Sequence, residues 1–434
     1  MSSATVDVQI LAFNDFHGHL EPPAGSSGRV KLPDGTTVDA GGAAHFAHHV
    51  GALRATNPNT VVVSAGDLVG ASPLISGLFH NEPAVEAMNL IGLDFNGVGN
   101  HEFDKGTTEL LRLKAGGCHP VTGCEDGTPF PGAKFDFLAA NVVNAASGTP
   151  LFPAYGVREF DGVKVAFIGM TLEGTPSIVT PAGVAGFDFK DEVETVNALV
   201  PTIRAQGIET IVVLLHEGGL PSGFYNECPG ISGPIVDIAT RMSDAVDVIA
   251  SGHTHEAYNC LIAGKLVTSA ASFGRIVTDI DLQIDRATGD VKAKAAKNVI
   301  ATREAADPQV ASFVAACKDA AAPLANRPIG TIAADFDDTA PENGPGLSQL
   351  GAFIADSQLA ATQGPTAGSA VIAFMNPGGV RTSLVFAAAP GEATDGIVTF
   401  GETFAVQPFG NNLVVMSLTG AQIKTALEQQ FHVD

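Results

Sequence analysis

Basic residues are scarce in this chain of 434 residues, in which 23 Lys and Arg face 46 Asp and Glu and give a formal net charge of −23. Because such a surface repels polyanions, we expect no nucleic-acid polymer and no anionic membrane among its partners. No apolar run approaches the roughly 20 residues that a membrane-spanning helix needs, so we expect no membrane span. With 45% hydrophobic residues the chain can still bury large cores, and its length predicts two or three domains.

From its first residues we also expect no secretory leader in this sequence. The first residues, MSSATVDVQI, contain neither a basic segment nor the apolar segment that follows it in signal peptides. Two interpretations remain: an intracellular protein, or a secreted, periplasmic or cell-wall protein whose leader has been removed.

The five cysteines favour the second interpretation. Neither Cys118 with Cys124 nor Cys228 with Cys260 has the C-x-x-C spacing of zinc sites, and both pairs lie among turn residues, with Cys317 left over. Disulfides persist in oxidising compartments. We therefore predict two surface disulfides and an extracytoplasmic protein; four unpaired thiols are the alternative.

Apolar strands alternate with helical stretches over the first 300 residues. This pattern is typical of a layered α/β domain whose sheets are covered by helices. Runs such as TIVVLL and VKVAFIG are apolar throughout, as strands buried on both faces require. The predicted strands are Val8–Phe13, Thr60–Ser64, Phe95–Val98, Phe137–Ala140, Val163–Gly169, Thr210–Leu215, Val246–Ala250 and Lys265–Ala270.

Helix-capping residues and turns mark further elements. We predict a helix that begins at Glu82 with Asn81 as its N-cap, and another from Asp191 to Gln206 that Gly207 ends. Near residue 288, alternating apolar and polar residues flank an Ala-Thr-Gly turn and predict a hairpin.

The chain divides into two domains in this prediction. The first covers residues 1–303, a linker helix covers 304–327 with Asp307–Ala325 as its core, and a smaller α+β domain covers 328–434. In the second domain we expect a helix at Leu347–Thr362, a strand at Ala370–Asn376 and a strand-rich end. The second domain is short for one that closes its own core, so we expect it to be incomplete.

Metal-capable residues follow five of the predicted strands. Ligands of α/β sheets gather beyond the carboxyl ends of the strands, so these residues should converge on one edge. Asp, Asn and His suit Zn²⁺, Mn²⁺ or similar divalent ions. Their number exceeds the needs of one ion, and two ions roughly 3.5–4 Å apart can activate water and hold a phosphoryl oxygen. The candidate ligands are Asp15, His17, Asp67, Asn100, His216, His253 and His255.

The segments DFHGH, GDLVGASP, GNHEFD, HEGG and GHTH, in this order, resemble the calcineurin-like metallophosphoesterase signature in its 5′-nucleotidase/UDP-sugar hydrolase branch. The segments GLSQLGAFIADSQLAAT, MNPGGVR and VQPFGN resemble the second domain of the same family. This resemblance implies a layered α/β-β-α first domain and a small-molecule phosphate ester, a nucleotide, as the substrate.

The resemblance also implies a role for each candidate ligand. The first metal site would be formed by Asp15, His17 and His255. The second site would be formed by Asn100, His216 and His253. The carboxylate of Asp67 would bridge the two ions.

Residues next to the ligands would take part in the reaction or support it. His101 matches the family residue that contacts phosphate and assists the leaving oxygen, and Asp104 would orient its imidazole. Glu102 and Glu217 also adjoin candidate ligands, and we expect them to support the ligands by hydrogen bonds.

In the second domain the resemblance implies substrate contacts by Asn376 and Arg381, and stacking of a nucleobase on Phe409. Two departures weaken this part. No Arg occurs between Arg327 and Arg381, where the family carries further arginines, and the family's second stacking aromatic lies beyond the last residue of this chain.

We therefore predict a secreted phosphoesterase that hydrolyses the 5′-phosphate of nucleotides by metal-activated water. A 2′,3′-cyclic nucleotide phosphodiesterase or a UDP-sugar hydrolase could use the same centre. An inactive binding or surface protein on the same fold is the alternative from another class; the missing arginines favour it, and the complete set of ligands opposes it.

Overall fold

A computed structural model describes residues 4–125, 127–338, 347–388, 394–409 and 411–429. The chain forms two compact units that divide between Ala322 and Pro323. The first unit is built on two six-stranded sheets. None of the helices in the described part of the chain combines the length and apolarity needed to cross a bilayer.

The described elements of the first unit are short and alternate along the chain. The strands are β1 (Thr5–Phe13), β2 (Arg29–Lys31), β3 (Thr37–Asp39), β4 (Thr60–Ser64), β5 (Phe95–Gly97), β6 (Asp136–Leu138), β7 (Val142–Asn144), β8 (Tyr155–Phe160), β9 (Val163–Thr171), β10 (Phe187–Phe189), β11 (Thr210–His216), β12 (Val248–Ser251), β13 (Ala257–Ile262), β14 (Lys265–Ala270), β15 (Ile276–Asp285) and β16 (Val291–Ile300). The helices are α1 (Ala43–Arg54), α2 (Leu74–Gly77), α3 (Glu82–Ile91), α4 (Thr107–Ala115), α5 (Thr175–Ile178), α6 (Pro181–Val184), α7 (Glu192–Arg204), α8 (Pro234–Arg241) and α9 (Pro308–Ala325), the last of which crosses the division between the units.

Each large sheet has a run of four parallel strands; antiparallel strands flank it on one side in the first sheet and on both sides in the second. The first sheet has the order β16-β15-β1-β4-β5-β6, in which β1, β4, β5 and β6 run parallel. The second has the order β13-β14-β12-β11-β9-β8, in which β14, β12, β11 and β9 run parallel. Parallel strands present their carboxyl ends at the same edge, so the loops that follow them lie together.

The side chains of β1 show how the layers form. Val8 and Ile10 enter a core shared by the two sheets, whereas Leu11 and Phe13 enter a second core that also contains residues of α1 and α3. The two pairs enter different cores because successive side chains of a β-strand point to opposite faces of the sheet. In β11 the apolar run TIVVLL divides in the same way between the shared core and a third core beneath α7 and α8. The resulting helix–sheet–sheet–helix arrangement confirms the predicted layered α/β fold.

Glycines allow the two sheets to approach closely. A Cβ atom on Gly97 of β5 would lie 2.7 Å from the carbonyl oxygen of Leu214 in β11. A Cβ atom on Gly169 of β9 would overlap the carbonyl oxygen and Cβ of Leu138 in β6. No side chain larger than hydrogen fits at either position while the sheets keep this separation.

The eight predicted strands and the hairpin are confirmed, with ends that differ by a few residues.

The prediction that the Asn81 side chain caps the N-terminus of α3 is wrong. Asn81 does precede α3, but it has a left-handed backbone (φ 63°) and its side chain makes no cap bond. Its side-chain oxygen instead accepts a hydrogen bond from the Ser76 hydroxyl. Asp191, by contrast, accepts a capping bond from the backbone N–H of Glu194, as an N-cap should.

The second unit has a small core of its own. Its described elements are β17 (Pro328–Thr331), α10 (Gln349–Thr362), β18 (Ile397–Thr399), α11 (Phe400–Val406) and α12 (Gly420–Gln429). Strands β17 and β18 pair with each other. Side chains of α10, β18 and α11 form the core, together with Val380 and Leu384.

The predicted strand at Ala370–Asn376 is wrong, because this segment has no regular structure. It follows a turn in which Gly368 and Ser369 have left-handed backbones. Val371 is 90% exposed, so the apolar residues that suggested a strand are not buried against a sheet. The predicted strand-rich end is also wrong over the described residues from 394 onwards, where β18 is followed by α11, α12 and irregular chain.

Both predicted disulfides are present in the structure, but the prediction that both lie at the surface is wrong for the second, because Cys260 is buried in a core. Cys118 pairs with Cys124, and Cys228 pairs with Cys260, while Cys317 lies on α9 outside either bridge.

The close approach of the sheets makes Gly169→Ala a test of the layer packing. We expect the added methyl group to force the sheets apart and to lower the free energy of unfolding by about 1–3 kcal/mol. Gly51→Ala is the control, because Gly51 lies in α1 with no atom within 4 Å of an added Cβ, and a helical Gly→Ala change should stabilise by about 0.5–1 kcal/mol. Denaturant unfolding measures both changes, and equal stability of the two variants would contradict this packing.

Candidate metal centre

All seven predicted ligands lie at the carboxyl ends of strands in the first unit. Four of them belong to loops of the first sheet: Asp15 and His17 follow β1, Asp67 follows β4 and Asn100 follows β5. The other three come from the second sheet, where His216 ends β11 and the loop after β12 carries His253 and His255. The structure therefore brings together the residues that the sequence predicted to converge.

One group of donors surrounds Asp15. The Nε2 atom of His255 lies 3.4 Å from Asp15 Oδ1 and 3.1 Å from His17 Nε2. The distance from His17 Nε2 to Asp15 Oδ1 is 3.8 Å. Because one ligand atom from each of the three residues lies within 4.8 Å of the others, a single ion can contact all three.

A second group surrounds Asp67. The Nε2 atom of His216 lies 3.0 Å from Asp67 Oδ2 and 3.1 Å from the Asn100 side-chain oxygen. His253 has a ligand atom within 4.8 Å of both Asp67 and His216. Asp67 Oδ2 is also 3.7 Å from His17 Nε2, so this carboxylate borders both groups, as a bridging ligand requires.

Hydrogen bonds orient two buried imidazoles toward the centre. His216 Nδ1 lies 2.7 Å from the carbonyl oxygen of Ala65, and His17 Nδ1 lies 2.8 Å from that of Gly70. A carbonyl oxygen can only accept, so each Nδ1 carries a proton, and each Nε2 presents its lone pair to the centre when the ring is neutral. This is the tautomer and orientation that a metal-ligating histidine needs.

The backbone is strained at most of the candidate ligands. Left-handed φ values are uncommon for residues other than glycine and concentrate where a structure positions functional groups. Bonds between loops hold this conformation: the N–H of Asp15 donates to Gly66 O, and that of His253 donates to the Asp15 carboxylate. The ligands with left-handed backbones are Asp15 (51°), His17 (50°), Asp67 (53°), His253 (71°) and His255 (59°).

The two carboxylates give the centre a negative potential. Burial alone would raise the pKa of each, but facing imidazoles, above all His255 for Asp15 and His216 for Asp67, hold both pKa values well below the ordinary range. Burial alone would lower the pKa of an imidazole, but the Asp67 carboxylate acts with other carboxylate contacts, above all Asp15 for His216 and Asp104 for His101. Together they raise the pKa of His216 to about 10 and that of His101 to about 9. A space that favours positive charge in this way, lined by N and O donors, fits divalent cations.

Glu102 holds the loops that carry two of the ligands. It is 3% exposed, and its carboxylate accepts hydrogen bonds from the backbone N–H groups of Asp67 (3.0 Å), Leu68 (2.8 Å) and Gly99 (2.7 Å). Burial and the nearby Asp67 carboxylate raise its pKa to about 7. Glu102 thus joins the loop after β4 to the loop after β5. These hydrogen bonds are of the supporting kind that we expected for Glu102 from its position beside a candidate ligand.

His101 and Asp104 form a hydrogen-bonded pair at the edge of the centre. His101 Nδ1 lies 2.8 Å from Asp104 Oδ2, so this carboxylate orients the imidazole. The imidazole meets the ring of His17 edge-on at 5.1 Å between centroids. The backbone N–H of His101 donates to Asp67 Oδ1 at 2.9 Å, which ties the pair to the candidate bridging carboxylate.

The three predicted substrate residues of the second unit lie on neighbouring turns. Asn376 precedes a 3-10 turn at Pro377–Gly379, and Arg381 follows that turn. The guanidinium carbon of Arg381 is 5.7 Å from the ring centroid of Phe409. The structure therefore brings Arg381 and Phe409 into contact within the second unit.

Phe273 also contacts the centre, although its sequence position gave no sign of this. Its ring stacks on His19 at 3.9 Å and meets the His255 ring edge-on at 5.4 Å. Its N–H donates to Asp15 O, and its backbone is left-handed (φ 62°). The surrounding sequence, ASFG, follows an ordinary strand, so only the three-dimensional structure reveals this position.

Two family models match the chain. The model described as calcineurin-like phosphoesterase matches residues 8–257, and the model described as the 5′-nucleotidase C-terminal domain matches residues 328–434.

Similar proteins include longer bacterial ones. The chain is 32% identical over 430 residues to endonuclease YhcR of Bacillus subtilis and 33% identical over 459 residues to cell wall protein Lmo0130 of Listeria monocytogenes. Each alignment covers 98% of this chain but only 33% and 56%, respectively, of the relative. The fold is also similar to the crystal structure of a 5′-nucleotidase precursor from Thermus thermophilus, with a TM-score of 0.72, 26% identity, and coverage of 98% of this chain and 78% of that one.

The position of Glu102 predicts the effect of Glu102→Gln. The amide presents one oxygen where the carboxylate presents two, so at least one buried N–H loses its acceptor, and stability should fall by about 1–3 kcal/mol. Metal affinity should fall by about 10- to 100-fold, because the two loops no longer hold their ligands.

Thermal unfolding and metal content after dialysis measure these two effects. Glu194→Gln is the matched control, since Glu194 is exposed on α7. Wild-type stability and metal retention in Glu102→Gln would contradict a positioning role for Glu102.

Proposed function

The chain belongs to the calcineurin-like phosphoesterase family, and from this membership we propose that it hydrolyses the 5′-phosphate of nucleotides with two divalent metal ions in its first unit. The convergence of seven N and O donors from two sheets is the observation that carries the proposal. The 5′-nucleotidase C-terminal domain matched by residues 328–434 supports a nucleotide as the phosphate ester.

We propose that Asp15, His17 and His255 hold one ion, that Asn100, His216 and His253 hold the other, and that Asp67 contacts both. The donor set favours Zn²⁺, Mn²⁺ or similar ions. When bound, two such ions supply an activated water and Lewis-acid stabilisation of the phosphoryl oxygens. The protein's own part is to keep the donors buried and oriented, through the backbone bonds of Glu102 and of the imidazole Nδ1 atoms.

His101 would act on the substrate itself. With Nδ1 bonded to Asp104, its Nε2 carries a proton whenever the imidazole is charged, and it can donate to a phosphoryl oxygen or to the leaving oxygen. Asp104 stabilises that charged form and fixes the ring. Asp104 is therefore proposed as a positioning residue and His101 as a catalytic one.

The second unit would contribute recognition of the nucleotide. A base can stack on the ring of Phe409, and the guanidinium of Arg381 suits an anionic or carbonyl oxygen. Asn376, at the start of the turn before Arg381, would add a polar contact.

We propose that the protein works outside the cytoplasm. The two disulfides support this location, since disulfides persist in oxidising compartments. A relative named as a cell wall protein and a similar structure titled as a precursor agree with it.

Removing the shared carboxylate tests the centre. We expect Asp67→Asn to lower kcat for AMP hydrolysis by about a thousandfold or more, because several kcal/mol of charge stabilisation depend on the ions that Asp67 would hold. Asp237→Asn on α8 is the control; its side chain is 65% exposed, and activity should change less than about twofold. AMP turnover by folded Asp67→Asn at the wild-type rate would exclude the proposed centre.

The pair of His101 and Asp104 calls for a double-mutant cycle. We expect Asp104→Asn to lower kcat by about 10- to 100-fold with little change in KM, because the imidazole loses its orienting acceptor but the substrate keeps its contacts. In a His101→Ala background the same change should have little further effect. Independent, additive effects of the two substitutions would show that Asp104 does not act through His101.

A further inference from the structure

A cavity of about 320 Å³ lies in the first unit and shares His255 with the candidate metal centre. Strand β2 contributes Arg29 and Lys31 to its walls, the loop after β11 contributes Phe224 and Tyr225, and Arg275 immediately precedes β15. No role in the proposed hydrolysis uses these five residues.

The cavity collects positive charge in an acidic protein. Three of the chain's 23 Lys and Arg side chains line it, and one of them, Arg29, forms an ion pair with Asp39 at 3.2 Å. Glu256 is the carboxylate in the lining, and it is exposed. With Arg29 paired to Asp39, the two charges of Lys31 and Arg275 against the one of Glu256 leave the lining with a net positive charge.

Arg275 is half-buried and lies among neutral acceptors. Its guanidinium donates to the Ser272 carbonyl (3.1 Å), to the Ser272 hydroxyl (2.7 Å) and to the Arg29 carbonyl (3.1 Å). Within the described residues it forms no ion pair with a carboxylate. Burial lowers the pKa of Arg275 to about 10, with Glu256 acting weakly in the opposite direction. A guanidinium has five N–H groups, so these three bonds leave donors for an anion.

The walls of the cavity are fixed in place. The disulfide between Cys228 and Cys260 ties the loop after β11 to β13. The side-chain amide of Asn298 donates to the carbonyl of Tyr225 in the same loop at 2.6 Å. On the side of the metal centre, Phe273 lies between the two sites, 5.4 Å from the His255 ring and 5.6 Å from the Arg275 guanidinium carbon. A site with fixed walls loses little conformational entropy when it binds a small ligand.

We propose that this cavity binds a tetrahedral oxyanion of the inorganic-phosphate class on Arg275 and Lys31. Arginine offers paired donors that match a phosphate or sulfate oxygen pair, and a second cation raises the affinity for a dianion. Two sources share this chemistry: free phosphate, and a second phosphate group of a substrate bound at the centre. The second source rests on the proposed function, whereas the first does not.

Calorimetry with inorganic phosphate tests the site. Asp67→Asn weakens the metal centre but leaves the cavity intact, so this variant of the full chain should still bind phosphate. Adding Arg275→Gln should weaken that binding by about tenfold or more, as expected for the loss of hydrogen bonds to a charged group. Lys31→Gln should weaken it by a smaller factor, and because Lys31 is exposed this variant keeps the test valid if Arg275→Gln does not fold.

Lys164→Gln is the control, since Lys164 is an exposed lysine of β9 that does not line the cavity. Equal phosphate affinity in the Asp67→Asn protein with and without Arg275→Gln and Lys31→Gln would overturn the proposal, as would the absence of phosphate binding in Asp67→Asn alone.

Kinetics of the Arg275→Gln variant with an intact Asp67 then separates the two sources. If a second phosphate of the substrate occupies the cavity, the ratio of kcat/KM for ADP to that for AMP should fall about tenfold. If free phosphate occupies it, this ratio should stay constant and inhibition by added phosphate should weaken. Failure of the wild-type chain to hydrolyse any nucleotide would count against the proposed function, while the binding experiment would still decide the cavity.

Discussion

The candidate metal centre of the first unit is built around two buried carboxylates, Asp15 and Asp67. Neither is exposed beyond 1%, and both remain ionised because imidazoles face them. Burying two negative charges in one space is costly unless positive charge or hydrogen bonds compensate them. The facing imidazoles compensate this charge, and the backbone N–H groups of His253 and His101 donate hydrogen bonds to the Asp15 and Asp67 carboxylates, respectively.

The two sheets are needed because the ligands come from both of them. Asp67 belongs to a loop of the first sheet, and His216, 3.0 Å away, ends a strand of the second. The separation of the sheets therefore sets the distances within the centre. Close contacts at Gly97 and Gly169 hold that separation, so packing in the shared core and geometry at the ligands are linked through the same strands.

The fold and the convergence of the candidate ligands could be predicted from the sequence for a physical reason. Strands buried on both faces must be apolar throughout, and turn residues and metal-capable side chains then mark their carboxyl ends. The pairing of Cys228 with Cys260 followed from their turn-rich surroundings and is confirmed. These features depend on local chemistry that a short window of sequence displays.

The errors arose where tertiary contacts override local preference. The apolar segment Ala370–Asn376 resembles a strand, but it lies after a left-handed turn and forms no ladder. Asn81 stands at the right position for a cap, yet its backbone conformation directs the side chain to Ser76. The roles of Phe273 and Arg275 depend on distances between segments remote in sequence, and no local pattern encodes them.

Anomalous X-ray diffraction from crystals grown with Zn²⁺ or Mn²⁺ tests the central claim most directly. The account predicts two anomalous peaks per chain, roughly 3.5–4 Å apart: one among Asp15, His17 and His255, the other among Asn100, His216 and His253, with Asp67 between them. A single peak, or peaks outside these two groups of donors, would contradict the dinuclear centre.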